Sequence, residues 1–104
     1  MPTITQPAQR PPRAKLAQPV RVRPYNSRYP EEICTTQNVS RKGFYFETEQ
    51  GHYFVGMYVY VVRNFHPGDP ASREETGDVV RIEKLKSGKW GVAVRVLVNA
   101  PPTF

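Results

Sequence analysis

No stretch of this chain sustains a helical repeat; its apolar residues recur at every second position, in short runs cut apart by turn-forming residues. Strict alternation sends successive side chains to opposite faces and marks a half-buried strand, whereas a helix needs apolar residues three and four apart. Phe44, Phe46 and Thr48 fall on one face of such a run, and Tyr45, Glu47 and Glu49 on the other. Val20 and Val22 oppose Arg21 and Arg23 in the same way, and Ile33 and Thr35 oppose Cys34 and Thr36. The pattern predicts strands over Gln18 to Arg23, Glu31 to Gln37, Gly43 to Glu49, Met57 to Phe65, Glu75 to Leu85 and Lys89 to Val98. The fourth is the most apolar and is expected to be buried on both faces, with Tyr58 and Tyr60 in core and rim packing. Ser87-Gly88 marks a tight hairpin between the last two. Strands joined by short turns, without a helix, imply an all-β fold: a small six-stranded antiparallel β-barrel, whose closure removes exposed strand edges.

A chain of 104 residues makes one domain. Residues 1–17 read as a flexible, basic, proline-rich arm, 18–99 as the barrel and 100–104 as a tail. Residues 1–19 hold Pro2, Pro7, Pro11, Pro12 and Pro19, with Arg10, Arg13 and Lys15 and no acid. Such prolines exclude a continuous helix. Over the whole chain 15 Lys and Arg face 9 Asp and Glu, a formal charge of +6. That balance implies an anionic partner: a nucleotide, a nucleic acid or an acidic membrane surface. Cys34 is the single cysteine, so no internal disulfide can form, and it reads as a small apolar side chain in a strand. Met1 to Gln9 lacks the apolar core of a secretory signal, and no run approaches the roughly 18 apolar residues of a membrane span. A cytoplasmic protein without a membrane span is expected.

Little in the chain suggests catalysis. His52 and His66 fall in loops, and no cysteine or second histidine stands at metal-ligand spacing. Glu31–Glu32 and Glu74–Glu75 are neighbours on opposite sides of a strand, and no phosphate-binding glycine loop of the Walker or Rossmann type occurs. The chain therefore reads as a binding module and not an enzyme, with no catalytic or metal-ligating residues and no cofactor. The stretch that stands out is Asn38-Val39-Ser40-Arg41-Lys42-Gly43-Phe44-Tyr45-Phe46, read as a polar turn feeding a strand. Asn38 and Ser40 favour turns, and Gly43 supplies either a positive φ or room for a close approach.

Asn38, Ser40 and Gly43 match Asp/Asn-x-Ser-x-x-Gly, the second motif of the PilZ domain, a bacterial split β-barrel that binds cyclic di-GMP. The later runs Val55-Gly56-Met57-Tyr58-Val59-Tyr60-Val61, Thr76-Gly77-Asp78-Val79-Val80-Arg81-Ile82 and Trp90-Gly91-Val92-Ala93-Val94-Arg95-Val96 follow the family's strand pattern. The chain resembles this family over about residues 9–98. PilZ domains often carry a helix after the barrel, and the likeness here is to a minimal form. The resemblance implies that cyclic di-GMP is the ligand, held by Asn38, Ser40 and Gly43 on the barrel and by arginines on the arm. The family's arginine motif is Arg-x-x-x-Arg. Here Arg10 and Arg13 have two residues between them, and counting the family spacing back from Arg13 reaches Gln9. Arg13 is the position carried over, with Arg10 serving beside it. Guanidinium groups suit this role, since they grip phosphate oxygens bidentately and stack on purines.

The leading expectation is thus a cyclic di-GMP receptor of bacterial second-messenger signalling, whose ligand-ordered arm presents a surface to an unidentified protein partner. The alternative is a PilZ-like protein-interaction module that has lost nucleotide binding. Binding of single-stranded nucleic acid is disfavoured, because no RNP-like aromatic motif accompanies the charge.

Overall fold

In the computed structural model, residues 17–97 are described. The expected arm, with Gln9, Arg10 and Arg13, lies outside them, as does the tail. Six strands follow one another: β1 (Pro19–Pro24), β2 (Glu32–Ser40), β3 (Gly43–Thr48), β4 (Tyr58–Arg63), β5 (Glu75–Lys84) and β6 (Trp90–Val96). They close into a barrel in the order β1-β2-β3-β6-β5-β4, every neighbouring pair antiparallel, with β1 hydrogen-bonded to both β2 and β4. The all-β barrel expected from the alternation is what the chain forms.

The inward positions are mostly β-branched or aromatic, the side chains that pack best on a pleated surface. Val20, Val22, Phe44, Phe46, Val59, Val61, Val79, Val92, Val94 and Val96 fill the interior, joined by Tyr53 and Met57 from the connection before β4. Fully burying one such side chain stabilises the fold by about 1.5–3 kcal/mol. Cys34 packs half-buried against this core, and burial pushes its thiol up to about 12. It behaves as an inert apolar filler, as read from the sequence.

Each end of the barrel is closed by a polar cluster. At one end the Arg63 guanidinium grips Glu75 through two bonds, Nε to Oε1 at 3.0 Å and Nη2 to Oε2 at 3.1 Å. Its Nη1 reaches the carbonyl oxygens of Ser40, at the end of β2, and of Arg41, in the turn that leads into β3. At the other end the Glu32 carboxylate accepts hydrogen bonds from Thr48 Oγ1 at 3.0 Å and Tyr53 Oη at 2.6 Å. His52 lies between Tyr29 and Tyr53, its ring centroid 5.1 Å and 4.2 Å from theirs. Its Nε2 is buried with no hydrogen-bond partner among the described residues.

Two sequence expectations need correction. The fourth strand is not buried on both faces: Val59 and Val61 point inward, while Tyr58 is 51% exposed. Tyr58 and Tyr60 belong to the outer surface, where Tyr25 stacks on Tyr60 at 4.3 Å and tilts against Tyr58 at 5.5 Å. Of that strand's outward positions only Val62 is buried. The second correction is that Asn38 and Ser40 are not in a turn. β2 runs on through Ser40, and only Arg41 and Lys42 turn the chain into β3.

Candidate ligand-binding groove

The position of Asn38 follows from a slip in the β2–β3 ladder. Thr36 pairs with Phe46 and Asn38 with Tyr45, so Gln37 is an extra residue with no partner of its own. A strand's side chains alternate with period two, and one inserted residue therefore exchanges the faces beyond it. Cys34 and Thr36 are inward; without the bulge Asn38 would be inward as well. With it, Val39 packs against the core while Asn38 and Ser40 face out. The Ser40 hydroxyl still does turn chemistry at the strand's end, accepting from the Lys42 amide at 3.3 Å.

β5 carries a second slip of the same kind. Val79 pairs with Val94 and Arg81 with Ala93, which leaves Val80 extra and 43% exposed. Val79 is inward, Ile82 returns to pack on the core, and Arg81 and Glu83 face out. Simple alternation from Val79 puts Arg81 and Glu83 on the inside. Between the two bulged strands run β3 and β6, whose outward residues along the middle of this face are small or flat, Gly43 and Tyr45 on one and Gly91 and Ala93 on the other, with Arg95 beside Gly43.

The result is a groove of about 560 Å³ across the outer face of β2, β3, β6 and β5. Asn38, Tyr45, Ala93 and Arg81 form one row across it, and Ser40, Gly43 and Arg95 the next. Gly43 does not need its conformational freedom here. A Cβ at that position would strike the Val94 carbonyl oxygen, so close approach of β6 is what requires glycine. Lys42, Arg81 and Arg95 bring positive charge, and Glu83 is the one carboxylate in the lining. Asp78 fixes Arg95 through paired bonds, Nε to Oδ1 at 3.0 Å and Nη2 to Oδ2 at 2.8 Å. Tyr45 lies across β6 over Gly91 and donates from Oη to Glu83 Oε2 at 2.8 Å. Partial burial, and then that hydrogen bond, push the phenol up to about 12. It remains a neutral donor at any physiological pH.

Of the residues singled out in the sequence, Asn38, Ser40 and Gly43 come together on this groove, and Arg10 and Arg13 lie outside the described residues. Tyr45, Arg81, Glu83 and Arg95 were not anticipated. Tyr45 and Arg95 carry a usable signal, being outward by alternation. The sequence does not say that β3 pairs with β6 across the barrel, so it cannot bring them to one place.

No protein-family model matches the chain, and no curated protein matches it by sequence. Among solved structures it is similar to the inhibitor of motility MotI/DgrA of Bacillus subtilis, with a TM-score of 0.63 at 19% identity. What the two chains share is the fold. The match covers 86% of this chain and 43% of that one. Among the described residues no helix is long and apolar enough to cross a membrane, and no three His, Cys, Asp or Glu side chains converge as a metal site requires.

Proposed function

We propose that this protein is a cytosolic bacterial receptor for cyclic di-GMP, binding the dinucleotide in the groove across β2, β3, β6 and β5. The observation that carries the reading is the Gln37 bulge, which turns Asn38 and Ser40 outward beside Gly43 on a surface bearing Lys42, Arg81 and Arg95. Bulges are frequent where a strand must re-aim side chains at a site. Asn38 offers an amide that can both donate to and accept from a base edge, and Ser40 a hydroxyl for base or phosphate. Arg13, with Arg10 beside it, supplies guanidinium groups to the phosphates. The PilZ resemblance assigns these same five residues. Loading the groove would then bring the arm's arginines to the ligand and create a new surface for a protein partner.

Calorimetric titration with cyclic di-GMP tests the reading and reports stoichiometry. Binding by the parent, weakened tenfold or more by Arg13→Ala without a change in unfolding midpoint, is the expected result. A thermal shift adds an independent readout, since ligand at 100 times its dissociation constant contributes about 2.7 kcal/mol of stability.

A second reading, a barrel that binds a protein and no nucleotide, draws on a different surface. Tyr25, Phe54, Val55 and Tyr58 are each 47% or more exposed, and Tyr25, Phe54 and Tyr58 line one shallow pocket. Absence of any cyclic di-GMP signal would favour it.

A further inference from the structure

Glu83 poses a chemical question. A groove that attracts an anion through Lys42, Arg81 and Arg95 also holds a carboxylate, which repels phosphate and gains nothing from it. The residue is exposed, so packing does not require it, and its one hydrogen bond among the described residues is the bond it accepts from Tyr45. A carboxylate has about four acceptor sites, so that single bond leaves most of its capacity open. What such a group recognises is a pair of neighbouring N–H donors.

We propose that Tyr45 and Glu83 form a guanine-reading half of the groove, with the Glu83 carboxylate accepting from the N1–H and N2–H of the base. This inference rests on the nucleotide reading of the groove and adds base selectivity to it. Guanine presents those two donors side by side, whereas adenine presents a lone-pair nitrogen at the matching ring position and no N2 amine. The carboxylate therefore pairs with one purine and repels the other. Tyr45 orients it: the phenol crosses β6 over Gly91, where a Cβ would collide with both Tyr45 Oη and the ring carbon that bears it, and would press on the Glu83 side chain. The ring also gives a base an aromatic surface to stack on, and Arg81 stands 5.8 Å from its centroid. Asn38 sits on β2 and Glu83 on β5, three inter-strand steps apart, about 14 Å of sheet. The groove thus carries one edge reader on each flank, as a ligand with two bases requires.

Titrations of the full chain with cyclic di-GMP, cyclic di-AMP and the linear diguanylate test the inference, using the parent, Glu83→Gln and Glu83→Ala. The parent is expected to bind the guanine ligands and to reject cyclic di-AMP. Both variants should lose about tenfold to a hundredfold in cyclic di-GMP affinity, the range for a charge-assisted hydrogen-bond pair, while binding cyclic di-AMP no more weakly than the parent. Tyr45→Phe should give a smaller loss, because it frees the carboxylate and keeps the ring. If the parent binds cyclic di-GMP and both Glu83 variants retain its affinity and selectivity, the inference is overturned and the receptor reading survives. Binding of the linear diguanylate but not of cyclic di-GMP, lost in the Glu83 variants, would support the guanine site and overturn the receptor reading. If no guanine ligand binds the parent, both are overturned.

Discussion

The Arg63 guanidinium, on β4, donates to the Ser40 carbonyl oxygen at 3.1 Å although β4 and β2 are not neighbours in the barrel. One arginine thereby ties the turn that follows Ser40 to β4, beyond β1, and to Glu75 on β5. Replacing it with methionine keeps the aliphatic stem and removes the bonds to both carbonyls and the ion pair. Hydrogen bonds to charged groups contribute about 1.5–3 kcal/mol, reduced here by partial exposure. Arg63→Met should lower the unfolding free energy by about 2 kcal/mol in urea titrations. It should also weaken groove ligands, because the turn that joins Ser40 to Gly43 loses its anchor.

Gly43→Ala should be costly for its size. The added methyl meets the Val94 carbonyl, a backbone atom that cannot swing away as a side-chain tip can. Overpacking of this kind costs about 1–3 kcal/mol, and β3 must shift away from β6 to relieve it. Urea unfolding should show the loss, and binding in the groove should fall with it. Gly88→Ala is the comparison: its φ of 94° carries backbone strain, but nothing lies within 4 Å of the new methyl. That variant should lose stability and leave groove binding intact.

How far the sequence could be read is clearest at these positions. Alternation placed Phe44 and Phe46 inside, Arg21 and Arg23 outside and Tyr45 on the outer face, because each of these facts is local to one strand. Asn38 and Ser40 were readable as special but not as strand residues, since a bulge leaves no alternation fault that a polar segment can display. Arg81 was less legible still. Val79-Val80 reads as an ordinary apolar pair, and only the register against Val94 and Ala93 reveals which of the two is extra. Strand order, which brings β3 beside β6, is a non-local property that no pattern within either strand encodes.

His52 gives a pH dependence with a defined sign. Burial between tyrosines lowers its pKa below the ordinary 6.5, against the opposing pull of Glu32. The unfolded chain then binds a proton near pH 6.5 that the folded chain takes up only at lower pH. The neutral-histidine contribution is therefore fully present above that value and is lost as pH falls through and below it. Melting temperature should drop between about pH 7 and pH 5 in the parent. His52→Phe keeps the ring stack and removes the unpartnered Nε2, so it should flatten that slope and raise the melting temperature at the acid end.

Gln9→Arg restores a guanidinium four positions before Arg13. If the arm supplies phosphate contacts, cyclic di-GMP affinity should rise by up to about tenfold, equivalent to about 1.4 kcal/mol. The gain should shrink as salt is raised, and urea midpoints should not move. Arg10→Ala is the internal control. A severe loss in the parent that becomes mild in the Gln9→Arg background would mean that Arg10 already fills the missing place.

The two bulges carry a consequence for how such a barrel can diverge. Loss of the single codon for Gln37 would set Asn38 directly after Thr36, opposite Tyr45 as it already is, so Asn38 and Ser40 would stay outside and Val39 inside while the bulge itself vanished. Exchanging Gln37 for another residue would disturb almost nothing, since its side chain is exposed and has no cross-strand partner. The same holds for Val80 on the other flank. At these two points the ladder keeps its register whichever residue is present, and keeps it also without one. A gap of one residue at a paired position of either strand would instead exchange the faces beyond it.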